Sequence, residues 1–331
     1  MVVLCPDATE QTVTSAELFR RSVGGAEANV AGTLAALGVT TTWVSRVGAD
    51  PFGDVVTRDI TSRGVRVLAD RDSARPTGLY LKDPRAPAGR RMHYYRAGSA
   101  AAAMNAELLD QPTVAATLAD ADVVHTSGIT AGILESGSRL LPRLLELREE
   151  HGFVLSVDLN WRPALWQSRD TSALLALVRA ADVLLLGADE GAAALGVAAP
   201  DRLRTVVGAR PRMVIKADSH AASEHDPDGS TTVVPALTVE VVEPVGAGDG
   251  FAAGYLAALV DGEDATARLR QGHLVAAQAL TSRDDHALPP APETRSRLLN
   301  CSAETWLRTR VTAAGITSPG LVGDTGPRQP E

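Results

Sequence analysis

Short apolar segments alternate with longer helical segments from about residue 105 onward, and this alternation restricts the fold more than any other feature. The segments at 122–126, 153–158 and 182–186 have the length and composition of buried strands, and 171–180 has the apolar period of a helix. Strands that helices separate in this way pair in parallel, with helices on both faces of the sheet. The sequence therefore predicts an α/β fold around a mostly parallel central sheet.

Composition supports this fold and excludes several functions. Apolar residues make up 45% of the chain and aromatic residues only 4%, so the core consists of Ala, Val and Leu, as is typical of helices packed on a parallel sheet. The formal net charge of −8 argues against general binding to nucleic acid or anionic membranes. Cys5 and Cys301 form neither a disulfide framework nor a Cys-x-x-Cys metal site. With no signal segment or membrane-length apolar run, a soluble cytoplasmic protein is expected.

A glycine-rich stretch, Glu243-Pro-Val-Gly-Ala-Gly-Asp-Gly-Phe251, leads into a buried helical segment at 251–260. Gly246 and Gly248 let the backbone approach a ligand, and the first N–H groups of the helix favour an anion. Asp249 lies inside this turn, where a carboxylate can accept a proton while the amides hold negative charge. The stretch matches neither the dinucleotide-binding fingerprint nor a Walker loop, and alone it is equally well interpreted as a turn with a helix cap.

A second glycine pair, Gly24-Gly25, opens a segment of small and apolar residues that predicts a helix ending at Gly38. A diglycine lets a substrate lie against the backbone, and Asn29 follows one turn later; a close helix contact without a ligand is the alternative interpretation. Ligands of parallel sheets gather at the carboxyl ends of the strands. Both 246–249 and the motif Asp-Leu-Asn-Trp-Arg-Pro at 158–163 fall at such ends.

Between about 65 and 98 the pattern changes to short alternating segments, at 77–81 and 91–96, on either side of a turn-rich stretch at 83–89. This pattern predicts an antiparallel hairpin or lid inserted between helices. The tyrosines of these segments either face a ligand or simply occupy half-buried strand positions.

The remaining segments complete the expected domain organisation. Residues 1–290 are expected to form one domain, which includes a short helix near 15–20. The segment 291–312 predicts an amphipathic C-terminal helical extension, and the tail at 313–331, rich in Gly and Pro, is expected to be disordered.

Several of these stretches together resemble the ribokinase-like sugar kinases, also called the phosphofructokinase-B family. The segment from Gly24 to Asn29 is similar to the first family signature, and 245–249 is similar to the second. The segments 24–29, 76–80, 94–96 and 158–166 are closer to the 2-keto-3-deoxygluconate kinase branch. The resemblance covers roughly residues 20–290. It implies a ribokinase-like three-layer α/β/α domain with a mostly parallel central sheet and a small β lid.

The resemblance implies transfer of the γ-phosphoryl group of ATP to the terminal hydroxyl of 2-keto-3-deoxygluconate, with Mg²⁺ between the phosphates. Asp249 is then the base that takes the proton of the sugar hydroxyl. The amides of Gly246, Ala247 and Gly248 form the anion hole. A sugar acid and ATP are the expected small-molecule partners, and the lid is a candidate surface for contact between copies of the chain.

On the sugar side, the resemblance implies that Gly25 and Asn29 touch the sugar and that Tyr80 and Tyr94 pack over it from the lid. Asn160 belongs to the same predicted substrate site.

Two arginines, Arg96 and Arg162, lie in the segments that match the sugar-acid branch. Guanidinium groups bind carboxylates with paired hydrogen bonds, which distinguishes a sugar acid from fructose or ribose. Arg is abundant in this chain, and either residue could instead form a surface ion pair.

On the nucleotide side the chain departs from the family pattern. The usual Asn-x-x-Glu is here Gly187-Ala-Asp-Glu190, and Glu190 is the predicted metal residue, holding Mg²⁺ through water. Lys216 is predicted to bind the nucleotide together with the glycines of the anion hole. His273 stands where relatives often carry Asn near the adenine, and it is the second predicted nucleotide contact.

Two further departures concern the backbone. The segment 217–223 lacks the glycine of the family turn and is expected to fold less tightly. The resemblance also implies a first strand with a Gly-Glu or Gly-Asp step, and none precedes Gly24. Either Met1 is not the natural start or the sheet has one strand fewer, in which case its exposed edges lower stability.

Two alternatives to a 2-keto-3-deoxygluconate kinase stay open. One is a kinase for a neutral sugar such as fructose or ribose. The other is a degenerate kinase fold that binds a sugar without transferring phosphate, as the altered nucleotide loops suggest. A Rossmann dehydrogenase is a distant third, since neither glycine run has the three-glycine spacing.

Overall fold

The strands and helices follow the alternating order that the sequence predicts. The structure, a computed structural model, describes residues 1–8, 10–85, 91–167, 169–217, 219–282 and 288–321. The elements are, in chain order, β1 (Val2–Pro6), β2 (Phe19–Val23), α1 (Ala26–Ala36), β3 (Thr42–Gly48), α2 (Pro51–Ser62), β4 (Arg66–Asp72), β5 (Leu79–Asp83), β6 (Arg91–Tyr95), α3 (Ala106–Asp110), α4 (Pro112–Ala119), β7 (Val123–Ser127), α5 (Gly128–Ile133), α6 (Leu140–His151), β8 (Val154–Asp158), α7 (Pro163–Trp166), α8 (Ser172–Ala180), β9 (Val183–Gly187), α9 (Ala188–Leu195), α10 (Pro200–Val207), β10 (Arg212–Ala217), β11 (Ala221–His225), β12 (Thr231–Pro235), β13 (Thr238–Val239), α11 (Ala247–Val260), α12 (Ala265–Leu280), α13 (Pro292–Leu299), α14 (Ala303–Leu307), β14 (Arg310–Thr312) and β15 (Gly315–Thr317). None of the helices in these ranges has the length and apolar character that a membrane span needs.

The largest sheet has the strand order β12-β11-β10-β9-β8-β7. Strands β7 to β10 pair in parallel, and β11 and β12 extend the sheet by antiparallel pairing. In β9, Leu184 and Leu186 pack into a core cluster with α6 and α8, whereas Val183 and Leu185 pack into a second cluster with α11 and α12. Alternate residues of the strand thus face two helical layers, which confirms the predicted α/β/α arrangement.

A smaller sheet has the order β2-β1-β5-β6 and forms the lid. The prediction that the lid lies within 65–98 is corrected in two respects, both on its N-terminal side. Residues 66–72 form β4, which pairs in parallel with β3 instead, while β1 and β2 join the lid from the N-terminal part of the chain. The helix expected near 15–20 is also wrong, because Phe19 begins β2. In each case the strand's partner lies outside the few residues that a local pattern covers, so the pattern does not reveal the pairing.

The C-terminal region is part of the domain core. After α13 and α14, β14 pairs in parallel with β13 and antiparallel with β15. Trp306 in α14 is 1% exposed, and its Nε1 donates a hydrogen bond to the carbonyl oxygen of Pro235 at 2.8 Å. The predicted helical extension at 291–312 therefore ends in a strand, and the predicted disordered tail is folded up to residue 321. The rest of that prediction, 322–331, lies outside the described residues.

The central sheet is interrupted next to β7. Strands β3 and β4 form a separate parallel pair, and neither β3 nor β7 has a second strand partner in the described ranges. Helix α1 contacts both β3 and β7, so the two sheets lie side by side under one helix. Both alternatives stated for the missing first strand predict an interruption of this kind, so it does not choose between them.

Helix α11 is buried along most of its length and packs against both α1 and α12. A Cβ on Gly254 would lie 2.5 Å from the carbonyl oxygen of Gln271 in α12, so a larger residue does not fit this close approach. The packing holds the first turn of α11 in a set position relative to α1, the helix that carries Asn29.

Candidate active site

A cavity of about 1390 Å³ opens at the carboxyl ends of β8, β9 and β10 and extends along α1. Ligands bind at this edge in α/β proteins. Most of the predicted site residues border the cavity although they are far apart in sequence, namely Gly25, Asn29, Tyr80, Tyr94, Arg96, Asn160, Arg162, Glu190, Lys216, Gly246, Gly248 and Asp249. The structure thus brings the predicted sugar side and the predicted phosphate side together.

The turn before α11 has the predicted anion-binding geometry. Gly246 is the N-cap with φ of 88°, a left-handed conformation that glycine adopts without strain. No side chain caps this helix, and the N–H of Gly250 donates to the carbonyl oxygen of Gly246 at 2.8 Å. The N–H groups of Ala247, Gly248 and Asp249 therefore have no acceptor within the helix. These donors and the positive end of the helix dipole together favour an anion at this position.

Asp249 carries the carboxylate of this turn. Its Oδ2 accepts a hydrogen bond from Nδ2 of Asn29 at 2.8 Å. Desolvation raises the pKa of Asp249 to about 7. The hydrogen bond from Asn29 opposes this rise, whereas the negative charges of Asp158 and Glu27 add to it. Because the side chain keeps a partly exposed surface where it borders the cavity, the carboxylate is suited to accept a proton near neutral pH.

Lys216 places a positive charge beside this turn. Its Nζ lies 3.3 Å from Oδ2 of Asp158. Burial opposes the charge of Lys216, but the carboxylates of Asp158 and Glu190 outweigh burial and raise its pKa. A Cβ built on Gly248 would lie 3.8 Å from Nζ, so the ammonium group is close to the predicted anion hole. A phosphate bound to the amides would therefore also meet a cation.

Asn29 Oδ1, Asn160 Oδ1 and Arg96 Nε, all on predicted sugar contacts, are buried and have no hydrogen-bond partner in the described part of the chain. Buried polar atoms are nearly always paired, so unpaired atoms on residues that border a cavity indicate a ligand. Asn160 also has a positive φ of 39°, the one such value for a non-glycine residue within the described ranges. Backbone of this kind costs free energy and is concentrated at functional sites.

Tyr80 and Tyr94 border the lid side of the cavity. They are directly opposite each other in the β5–β6 ladder, and their ring centroids are 5.4 Å apart. The guanidinium carbon of Arg96 lies 4.2 Å from the ring centre of Tyr94. Burial lowers the pKa of Arg96, yet a guanidinium stays charged in proteins. The lid thus presents aromatic surface together with a buried cation.

Arg162 and Glu190 are paired with each other across the opposite side of the cavity. Arg162 Nη1 lies 3.7 Å from Glu190 Oε1, and Glu190 Oε2 accepts a hydrogen bond from the N–H of Gly187 at 2.9 Å. One carboxylate oxygen therefore caps α9 while the other faces the arginine. The Arg162 side chain is 48% exposed, so this ion pair is weak and can exchange its partners.

The acids of the site fit Mg²⁺ together with phosphate oxygens. Within the described ranges, no group of three or more His, Cys, Asp or Glu side chains is arranged to hold a metal. Mg²⁺ is commonly bound by one or two carboxylates, water and substrate phosphates. Glu190 and Asp158 both border the cavity and supply carboxylates of that kind.

His273, the second predicted nucleotide contact, does not border the cavity. It is 8% exposed, its Nε2 donates to the carbonyl oxygen of Val234 at 3.0 Å, and its ring packs edge-on against Phe251. Burial lowers the pKa of His273 to about 4. The prediction is therefore corrected, and His273 is a neutral core residue. In the segment expected to fold less tightly, 217–223, Ala217 pairs with Ala221, while Asp218 lies outside the described residues.

Two acids of the cavity, Glu27 and Asp158, are absent from the residues predicted for the site. Glu27 Oε1 accepts hydrogen bonds from Ser127 Oγ at 2.6 Å and Thr130 Oγ1 at 2.7 Å. Asp158 is 3% exposed and pairs with Lys216. Both acids stand inside stretches that predict the site. For Asp158, the position at the carboxyl end of a strand is a signal that sequence reasoning can use.

A comparison with protein families finds one match that covers most of the chain. The profile of the pfkB family carbohydrate kinases matches residues 2–292. This range contains all of the predicted site residues.

Curated relatives and solved structures are similar over most of their length. The chain is 29% identical over 301 residues to the 2-dehydro-3-deoxygalactonokinase of Haloferax volcanii, covering 87% of this chain and 91% of the relative. It is 31% identical over 292 residues to the 2-dehydro-3-deoxygluconokinase of Thermoproteus tenax, covering 85% and 86%. A PfkB protein from Polaromonas sp. JS666 superposes with a TM-score of 0.76 at 28% identity, over 91% of this chain and 97% of that chain.

Proposed function

We propose that this chain, which belongs to the pfkB family of carbohydrate kinases, phosphorylates the terminal hydroxyl of a 2-keto-3-deoxy sugar acid with ATP. The first candidate substrate is 2-keto-3-deoxygluconate. The observation that carries the proposal is the position of Asp249. This carboxylate has a pKa of about 7, lies at the start of an uncapped helix, and is hydrogen-bonded to Asn29 beside the cavity.

In the proposed reaction, Asp249 accepts the proton of the sugar hydroxyl as that oxygen bonds to the γ-phosphorus. The bond between the γ-phosphorus and the bridging oxygen breaks, and ADP keeps the electron pair. The N–H groups at the start of α11 and the ammonium group of Lys216 hold the charge of the transferring group. Glu190 is the carboxylate that would hold Mg²⁺, which when bound would supply positive charge to offset that of the phosphates.

The unpaired polar atoms support a polyhydroxylated ligand. Oδ1 of Asn29 and Oδ1 of Asn160 are acceptors without donors in the described structure, so each suits a sugar hydroxyl. Because Nδ2 of Asn29 already holds Asp249, a hydroxyl bound at Oδ1 of the same amide lies close to the base. Asn29 thus links substrate binding to the position of the catalytic carboxylate.

The two predicted arginines support an acidic substrate. Nε of Arg96 is buried without a partner, and the guanidinium is stacked on Tyr94. Arg162 is partly exposed and paired only loosely with Glu190. A substrate carboxylate offers each of them a stronger, charge-assisted hydrogen bond. A neutral sugar would leave the donor of Arg96 unpaired, which costs free energy.

The curated relatives support this substrate class but do not distinguish between its gluco and galacto isomers. One is named a 2-dehydro-3-deoxygalactonokinase and the other a 2-dehydro-3-deoxygluconokinase, and this chain is about equally similar to both, at 29% and 31% identity. The two acids differ only in the configuration at one carbon. The gluco acid is placed first because the quoted segments resemble that branch.

A substrate panel tests the proposal. The purified chain is given ATP and Mg²⁺ with 2-keto-3-deoxygluconate, its galacto isomer, fructose or ribose, and ADP release is measured while ³¹P NMR identifies the product. We expect one or both sugar acids to give a phosphomonoester at the terminal carbon, with kcat/KM at least tenfold above the neutral sugars. Faster turnover of fructose would refute the role of the arginines. Binding of a sugar acid by calorimetry without any ADP release would favour a degenerate kinase fold.

A further inference from the structure

Two site residues, Asn160 and Arg162, lie on a segment of irregular backbone just after β8. Both border the cavity, whereas Trp161 between them does not. Asn160 has the positive φ of 39°, and Arg162 is extended, as is usual for a residue before proline. In the described part of the chain, none of the N–H groups at 160–162 donates to a backbone carbonyl oxygen. The main-chain donors of this segment therefore do not fix its conformation.

Trp161 packs in the other direction, against the core. Its ring stacks on the ring of Trp166, the last residue of α7, with centroids 5.3 Å apart and ring planes only 7° from parallel. Trp166 is 8% exposed and belongs to the first core cluster, against which Trp161 is also packed. Stacked aromatic pairs stabilise a fold beyond the apolar area that they bury. The stack therefore ties the middle of the segment 160–162 to α7.

Helix α5 fixes the position of α7. A Cβ on Gly132 would lie 3.1 Å from Cβ of Leu165 and 3.2 Å from the ring of Trp166, so the two helices are in close contact. After α7, Nη1 of Arg169 donates to the carbonyl oxygen of Leu134, which follows α5, at 2.6 Å. A helix of four residues is not stable alone, so these contacts hold α7 in place. Trp166 is thus a fixed platform for the ring of Trp161.

The residue before the segment is also anchored. Leu159 is fully buried, and its N–H donates to the carbonyl oxygen of Leu185 in β9 at 2.8 Å. A Cβ on Gly128 would collide with the carbonyl oxygen of Leu159, so α5 packs closely here as well. The left-handed conformation of Asn160 costs free energy and persists only where the surroundings impose it. With Leu159 held on one side, the stack of Trp161 supplies the constraint on the other.

We propose that Trp161 is a positioning residue that acts through Arg162. By stacking on Trp166, it holds the backbone of 160–162 so that the guanidinium of Arg162 is within reach of the substrate carboxylate. The guanidinium itself is paired loosely with Glu190 and stays free to exchange partners. A backbone that is already in place lowers the ordering cost of binding. This role rests on the proposed function, since the ligand that it serves is the sugar acid.

Calorimetry of 2-keto-3-deoxygluconate without ATP tests this role, because the readout needs no phosphoryl transfer. Trp161→Ala removes the stack, and Kd for the sugar acid should rise about tenfold, part of the ~10–100-fold expected for loss of the arginine itself. Kd for ATP, and kcat at saturating sugar acid, should change by less than about twofold, because the turn before α11 is untouched. Trp161→Phe keeps a ring that can stack and should bind within about threefold of the parent chain.

Trp306→Phe is the matched control, since Trp306 is a buried tryptophan that does not border the cavity. It should lower the stability to denaturant and leave Kd for the sugar acid unchanged. A double-mutant cycle then tests the link to Arg162. Trp161→Ala combined with Arg162→Gln should bind the sugar acid no more than about threefold more weakly than Arg162→Gln alone.

A weaker Kd for the sugar acid in Trp161→Ala, restored in Trp161→Phe and less than additive with Arg162→Gln, supports the proposal. An unchanged Kd with the fold intact by circular dichroism, equal weakening of ATP and sugar acid, or full additivity with Arg162→Gln overturns it. Binding of the sugar acid without ADP release would refute the proposed kinase reaction, and the Kd comparison would still decide the role of Trp161. A parent chain that binds no sugar acid would overturn both.

Discussion

The two sides of the candidate site differ in how completely they are formed before a ligand binds. On the Asp249 side, a buried helix presents its free N–H groups, and Asn29 already holds the carboxylate. On the Arg162 side, a half-exposed arginine is paired with Glu190, and the two must separate before either can hold a substrate carboxylate or a metal. The groups that we propose to perform the chemistry are thus preorganised, while those that we propose to select the substrate rearrange on binding.

The largest expected effect comes from the preorganised side. Asp249→Asn keeps the shape of the side chain but removes the base, so kcat for the sugar acid should fall by ~10²–10⁴-fold. Steady-state ADP release measures this fall, and calorimetry of the sugar acid should show that binding changes far less. Asp261→Asn, at the exposed C-cap of the same helix, is the matched control and should retain full activity.

The same variant reports on the pH dependence of stability. The pKa of Asp249 is raised from 3.8 to about 7 in the folded protein. The stabilisation from protonating this group is therefore fully present below about pH 4 and is lost as the pH rises through 7. As the pH is raised from about 4 to about 7, denaturant unfolding should show that Asp249→Asn becomes more stable relative to the parent chain. A difference in unfolding free energy that stays constant over this range would contradict the raised pKa and indicate a carboxylate exposed to water.

Lys216 is paired with Asp158 and lies close to the turn before α11. Substitution of Lys216 therefore tests how much this buried ion pair contributes to stability. Lys216→Met leaves the buried carboxylate of Asp158 without a cation, so we expect the free energy of unfolding to fall by about 3 kcal/mol. The double variant Lys216→Met with Asp158→Asn should recover part of this loss. The single variant Asp158→Asn completes the cycle, and a loss in the double variant equal to the sum of the two single losses would show that the pair is not coupled.

A smaller and more selective effect is expected on the Arg162 side. Arg162→Gln should raise KM for the sugar acid by ~10–100-fold, the worth of a charge-assisted hydrogen bond, with little change in kcat. Because Glu190 loses its partner, the Mg²⁺ concentration needed for half-maximal rate should fall. Arg139→Gln, at an exposed arginine that caps the start of α6 and does not itself border the cavity, is the control. A KM that rises equally for fructose would mean that Arg162 does not recognise the carboxylate.

The smallest effect on activity is expected at His273, which the structure places in the core. His273→Asn should leave KM for ATP unchanged within about twofold while the unfolding free energy falls by about 1 kcal/mol, the worth of one buried hydrogen bond. A large increase in KM for ATP, with the fold intact by circular dichroism, would restore the nucleotide contact.

Sequence reasoning succeeded where the signal was local or followed from the sheet. The apolar runs of β8 and β9 and the glycine turn at Gly246 have distinct patterns, and the rule for carboxyl ends brings Asn160, just after β8, to the cavity. The rule does not apply to Asp249, because the strand before it, β13, belongs to a separate small sheet. Sequence reasoning failed where distant partners decide the structure. The strand that begins at Phe19 and the burial of Trp306 depend on pairing and packing far along the chain.

At the site, sequence reasoning also could not decide which polar side chains face the cavity and which pair with other residues. The resemblance predicts His273 beside the nucleotide, but sequence does not reveal that its side chain packs against Phe251 in the core. Nor does the sequence reveal that Arg162 and Glu190 form an ion pair, since the distance between these side chains depends on the fold.

The pH dependence of kcat/KM for the sugar acid tests the central claim most directly, because it reports the ionisation of the free enzyme's base. With Asp249 as the base and its pKa at about 7, kcat/KM should rise with pH through this value and level off above it. The residual activity of Asp249→Asn should lack this step. A profile that is flat from pH 5 to 8, or a step that persists in Asp249→Asn, would contradict the assignment of Asp249 as the catalytic base.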